Sequence, residues 1–241
     1  MSLEDSADMP LRQRIEALYR KHVAAFTAGP DFVAFEKGTA PLEAYDRFLS
    51  HVVRYHLRAP QALAFLFALA PPDAAPDLLR KLLEELGTAD AASEPGMLRE
   101  LARGAGLGPA LPELEGLAAQ DMRQVAVEPL LYGTLKEVGL AALCELVAFE
   151  YLLSRTARRI ATALAVHRGL SAETLEWFGY RSEADVQQAE RGLDALVAYA
   201  DFYDLDDDEA FTICEMALRE NPFSKRYFGE SAGVAKGLVE N

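Results

Sequence analysis

Residues 128–167 read EPLLYGTLKEVGLAALCELVAFEYLLSRTARRIATALAVH, with no proline after Pro129. Such a run is expected to form one long helix, or two nearly collinear ones. At 1.5 Å per residue it would span about 60 Å, so a bend at Gly133 or Gly139 is expected. In its second half Leu146, Leu153, Ala157, Ile160 and Leu164 recur at helical spacing as an apolar stripe. Glu150 falls inside that stripe, four residues after Leu146 and three before Leu153. A carboxylate there points at the core, where an unpaired charge is costly.

The flanking sequence reads in the same period. Residues 9–28 form a helix with Leu11, Ile15, Leu18, Tyr19, Val23 and Phe26 inward, ended by Gly29 and Pro30. After a short segment at 32–37, a helix runs from Thr39 or Pro41 to Leu57, and Pro60 restarts it through Ala70. Residues 63–70 are apolar all round and expected to be buried. Residues 77–86 form a helix with Leu78, Leu79, Leu82, Leu83 and Leu86 inward, followed by a polar loop over 88–94. Short helices follow at 95–103 and from Pro109 or Pro112 to Val125. Beyond the long helix, Ser171 caps a short helix through Trp177, Gly179 breaks it, and another helix starts at Ser182. A last one starts at 206–208 and runs to Arg219. No segment alternates with period two, so the chain is expected to be all-α, a multi-helix bundle in one domain over 1–241. Residues 1–8 and 223–241 read as peripheral tails.

Composition fits this: 51% of the 241 residues are hydrophobic and 26% charged, and the net charge is −14. A chain this acidic is a poor partner for nucleic acid or an anionic membrane, and both are excluded on that ground. Its longest apolar run, 59–72, is broken by Pro60 and Gln61 and is too short to cross a bilayer. Ser2, Glu4, Asp5 and Asp8 do not make a signal peptide. Cys144 and Cys214, in apolar helical contexts without paired spacing, read as free thiols in a reducing cytoplasm.

The search for chemistry turns up few motifs. The four histidines are His22, His51, His56 and His167. His51 and His56 lie about 140° apart around a helix and cannot share a metal. No HExxH, ExxH, P-loop, GxGxxG or GxSxG occurs. His56, on an inward face, is either a pocket residue or a core histidine bonded to a neighbour. Glu150 is either a site carboxylate or the partner of a buried arginine such as Arg54, Arg58 or Arg181. Asp185, three after Ser182, reads as a helix-capping acid or a site member. Glu84 and Glu85 read as a solvated rim, with Glu85 nearer the stripe. Tyr180 and Arg181 sit in the expected interhelical break, where they could meet a ligand.

Leu175, Trp177, Phe178, Arg181, Asp185 and Gln188 are spaced like the L-x-F/W-F-x-x-H-x-x-x-D-x-x-H helix start of the iron-containing redox enzymes. These are the CADD-like members of the haem-oxygenase-like superfamily, related to the TenA and PqqC types. Leu82-Leu83-Glu84-Glu85-Leu86-Gly87, followed by 98–107, is similar to a second element of that family. Ala148-Phe149-Glu150 is similar to its A-x-E element. The resemblance covers about residues 48–200. It implies a haem-oxygenase-like bundle around a central pocket, in which carboxylates and histidines hold two irons in the oxidase members. Glu85, Glu150 and Asp185 match the carboxylate positions. The histidine positions fall on Glu94, Arg181 and Gln188, and a guanidinium brings a fixed positive charge where a metal would sit.

The expected function is therefore binding of a small organic molecule in a central helical pocket, with oxidoreductase chemistry as in the family. The alternative is a metal-free pseudo-enzyme that keeps the fold. Glu150, Asp185 and His56 are the candidate catalytic residues, and Tyr180, Arg181, Glu85 and Gln188 the candidate pocket residues. No cofactor or metal ligand is assigned; iron would need the degenerate positions Glu85, Glu150 and Asp185. Whether the protein is catalytic stays open, and the resemblance is compatible with a homodimer.

Overall fold

The long helix of the sequence is the axis of the molecule. The computed structural model describes residues 9–87, 93–127 and 134–229, leaving out the side chains of 124–127 and 183–186. The described residues form α-helices and one 3-10 turn, with no strand. In chain order the helices are α1 (Leu11–Ala28), α2 (Pro30–Lys37), α3 (Leu42–His56), α4 (Ala59–Leu69), α5 (Ala75–Leu86) and α6 (Glu94–Gly104). They are followed by α7 (Leu111–Val127), α8 (Leu135–Arg168), α9 (Glu176–Phe202), α10 (Asp207–Glu220) and α11 (Phe223–Phe228).

Helix α8 starts at a capping box, in which the backbone N–H of Thr134 donates to Glu137 Oε2 at 2.9 Å. It ends at Gly169, whose φ of 68° is left-handed and comfortable only for glycine. Its 34 residues span about 50 Å. Gly139 lies within it, and Gly133 lies outside the described residues. Helix α9 packs along α8, α10 and α4 flank it, and α3 carries α6, α7 and α11. Two glycines let α8 and α9 approach closely. A Cβ on Gly139 would collide with the Tyr199 phenol, and one on Gly192 would lie 2.7 Å from the Val147 methyls.

The stripe on α8 faces the core as expected: Leu153, Ala157, Ile160 and Leu164 are buried, and so is Glu150. Aromatic rings fill much of the remaining interior, with Tyr19, Tyr45, Trp177 and Tyr227 fully buried. Buried phenols need acceptors. Tyr19 donates to the Cys144 carbonyl at 2.9 Å and Tyr45 to the Phe35 carbonyl at 2.7 Å. Cys144 and Cys214 are buried free thiols.

Four expectations are corrected. Residues 63–70 are not buried all round, because α4 lies at the edge of the bundle: Leu63 and Leu66 are covered, while Ala64 and Ala68 face out. Helix α5 is rotated from its leucine-stripe reading. Leu79, Leu83 and Leu86 are 39%, 54% and 52% exposed, and Lys81 and Glu85 turn inward with Leu78. The break at Gly179 does not occur. Helix α9 runs through it because Trp177 and Phe178, both fully buried, anchor its first turn, which offsets the roughly 1 kcal/mol that an interior glycine costs. Finally, residues 223–228 are not a peripheral tail. They form α11, whose Phe223, Tyr227 and Phe228 are buried against Phe26 and Phe48. Residues 1–8 and 230–241 lie outside the described residues.

Candidate functional site

Four helices bring their polar and charged residues to one buried place. Helix α5 contributes Lys81 and Glu85, one turn apart on its inward face. Glu94, expected in a polar loop, is instead the first residue of α6, where Ser93 Oγ caps the helix by accepting from Gly96 N at 3.2 Å. Helix α8 contributes Glu150, and α9 contributes Trp177, Arg181 and Gln188. Lys81, Glu85, Glu94, Glu150 and Arg181 are all buried.

Their pairing is specific. Lys81 Nζ meets Glu150 Oε1, with side chains 9% and 4% exposed. Arg181 Nη2 pairs with Glu94 Oε1 and lies 3.4 Å from Glu85 Oε1. Trp177 donates its indole N–H to Glu94 Oε1 at 2.7 Å. Gln188 turns its amide to Glu84 Oε2 at 3.2 Å, on the exposed rim of the cluster. Glu150 was expected beside Arg54, Arg58 or Arg181, but these are engaged or elsewhere. Arg54 makes two 2.7 Å bonds to Asp121, Arg58 lines a different cavity, and Arg181 belongs to Glu85 and Glu94. Lys81 was missed by the sequence reading. Its signal was available: it stands three residues after Leu78 and four before Glu85, on one helical stripe.

Burial pushes the Glu85 carboxyl up to about 7 from 4.5. The charge of Glu94 adds to the rise, while Arg181 and Lys81 oppose it. Half-buried Tyr180 lies in α9 rather than in a loop, and burial raises its phenol. Ser182 is likewise inside α9, donating to the Gly179 carbonyl at 2.8 Å, so it does not cap a helix start. The Asp185 side chain lies outside the described residues.

His56, the last residue of α3, also packs beside Trp177, its ring 5.1 Å from the indole. Its Nε2 is 2.7 Å from the Tyr227 hydroxyl. Burial first, and then the positive charges of Arg181, Arg226 and Lys81, push its pKa well below the ordinary value. It is therefore neutral at physiological pH. His56 borders a cavity of about 450 Å³ between α3, α4, α7 and α8. That volume lies in the range of small-molecule sites, roughly 300–1,000 Å³. By contrast, the space beside Glu150, shared with Lys81 and Gln188, is about 30 Å³, little more than a water molecule needs. His56 and Glu150 thus border separate spaces on two faces of α8.

The family model described as iron-containing redox enzyme, of the haem-oxygenase type, matches residues 46–220. The chain belongs to that family. Its all-α bundle is the haem-oxygenase-like fold. No curated protein matches the sequence. The positions resembling the iron ligands of these redox enzymes do converge here, at Glu85, Glu94, Glu150, Arg181 and Gln188, but the donor set does not fit a pair of irons. Each described carboxylate of the cluster already meets a cation of the chain itself, Lys81 or Arg181. A guanidinium cannot give up its proton to become a ligand. Among the described residues, no group of three or more His, Cys, Asp and Glu side chains is arranged to hold a metal ion, and none of their helices is long and apolar enough to cross a membrane.

Proposed function

We propose that this member of the iron-containing redox enzyme family works without iron, as a protein that binds a small organic molecule in the cavity beside His56. One observation carries the reading. Lys81 and Arg181 supply, inside the carboxylate cluster, the positive charge that metal ions supply to such a donor set. The cluster is then a structural core, and the space bordered by His56 and Phe149 is far roomier than the one beside Glu150. The net charge of −14 supports a partner that is neither nucleic acid nor an anionic membrane. The buried free thiols support a reducing, cytoplasmic setting.

Metal analysis of protein purified without chelators tests this reading, paired with Fe(II) titration followed by thermal melting. The expected result is far less than one iron per chain and no Fe(II)-dependent rise in Tm. About one or more irons per chain, lost in both Glu85→Gln and Glu150→Gln, would overturn it. That outcome would favour the second reading, an iron-dependent oxidoreductase. One feature speaks for it: Glu85 Oε2 and Glu94 Oε2 are buried and have no hydrogen-bond partner among the described residues.

A further inference from the structure

Among the described residues, the cavity beside His56 is lined by three arginines and two carboxylates, a net charge of +1 in a chain of net charge −14. Two of the arginines are matched. Arg54 is held by both oxygens of Asp121 at 2.7 Å. Arg226 pairs with Glu145 Oε2, and the other oxygen of Glu145 accepts from Asn221 Nδ2 at 3.0 Å. Arg58 is not matched. No carboxylate among the described residues pairs with it, and its Nε is buried without an acceptor. Its neighbour Gln61, with the carboxamide oriented to satisfy both its atoms, accepts from Arg58 Nη1 at 3.2 Å and donates back to the Arg58 carbonyl at 3.2 Å. That is a neutral contact, and among the described residues it leaves the charge uncompensated. Arg58 lines the cavity, and a guanidinium holds a planar anion through parallel charge-assisted hydrogen bonds.

The rest of the lining is apolar and aromatic. Phe65, Leu66, Met122, Leu146 and Phe149 line the cavity, and the Arg226 guanidinium lies over the Tyr55 and Phe149 rings at 5.3 and 5.4 Å. We infer that this cavity is a binding site for a small organic monocarboxylate, whose anionic head pairs with Arg58 and whose apolar body lies against Phe65, Leu66 and Phe149. The inference rests on the reading that the cavity holds a small molecule. It adds the ligand's class: one negative charge, to match the one uncompensated cation among the described lining residues, on an apolar body.

Calorimetric titration of the full-length protein tests it. Octanoate and 3-phenylpropanoate are the probes, octanol and 3-phenylpropanol their neutral counterparts, and inorganic phosphate the anion without an apolar body. The carboxylates should bind, with the alcohols and phosphate weaker by about tenfold or more. Arg58→Gln should weaken the carboxylates by a similar factor without altering alcohol binding or Tm, and Arg58→Lys should recover part of the loss. If alcohols and carboxylates bind equally, or Arg58→Gln leaves carboxylate affinity unchanged, the inference fails while the small-molecule reading stands. Phosphate binding as tightly as the carboxylates would also overturn it. If none of the probes binds, both the carboxylate inference and the assignment of this cavity are overturned.

Discussion

Lys81 on α5 and Glu150 on α8 form an ion pair whose side chains are 9% and 4% exposed, beside a second buried set in which Arg181 joins Glu85 to Glu94. Taking one partner from such a pair leaves an uncompensated charge in the interior, at a cost of roughly 3–5 kcal/mol. Lys81→Met is expected to lower Tm by roughly 6–20 °C for a chain of this size. Lys81→Met combined with Glu150→Leu removes both charges and should recover most of that loss. Thermal melting of the two singles and the double closes the cycle. A double variant as unstable as Lys81→Met would mean that the pair does more than neutralise itself.

Glu85 gives stability a pH dependence with a definite sign. Its carboxyl is raised in the folded state from 4.5 to about 7, so folding favours its protonated form. That contribution is fully present below about 4.5 and is lost as pH rises through 7. The buried histidine works the other way: the lowered pKa of His56 gives stability that is present above 6.5 and lost as pH falls. Comparison with Glu85→Gln cancels the histidine contribution. Between pH 5 and pH 8 the wild-type chain should lose more unfolding free energy in urea than Glu85→Gln loses. Parallel pH profiles would show that Glu85 does not titrate in this window.

Gly192 marks a close approach of α9 to α8, because a Cβ there meets both Val147 methyls at 2.7 Å. Gly192→Ala should destabilise by about 1–3 kcal/mol through overpacking, despite the better helix propensity of alanine. Val147→Ala in the same chain should relieve part of that cost, which equilibrium unfolding measures directly.

Tyr227 on α11 sets its hydroxyl 2.7 Å from His56 Nε2 in a fully buried setting. Tyr227→Phe leaves that ring nitrogen without its partner and should cost about 1–3 kcal/mol. Because His56 borders the cavity, the variant should also shift the His56 ring resonances in NMR spectra. Unchanged resonances would mean that the imidazole does not depend on this phenol.

The bundle was legible in the sequence because its longest helices carry unbroken 3.6-residue patterns, and Glu150 announced itself by standing in one of them. Its partner did not. A leucine-rich helix such as α5 offers several faces of similar hydrophobicity, and local spacing placed Leu79, Leu83 and Leu86 inside. What turns Lys81 and Glu85 inward is the charge they meet on other helices, from Glu150 and Arg181, which no single-helix pattern contains. The continuity of α9 was missed for a related reason. Gly179 and Ser182 look like punctuation locally, and the burial of Trp177 and Phe178 that overrides them is a tertiary effect. Arg181 was one of three arginines offered as a partner for Glu150, and the family resemblance set it among the carboxylate positions; its pairing with Glu85 and Glu94 depends on contacts between helices.

Trp177 is the only tryptophan of the chain. Its indole touches the acidic cluster through Glu94 and the cavity wall through His56. The protein therefore carries a built-in optical probe in contact with both the acidic cluster and the wall of the cavity. A molecule entering beside His56, or a change of ionisation around Glu85 and Glu94, alters the surroundings of the same fluorophore through different contacts. Emission recorded with each perturbation in turn and then together would reveal whether the two compartments sense one another.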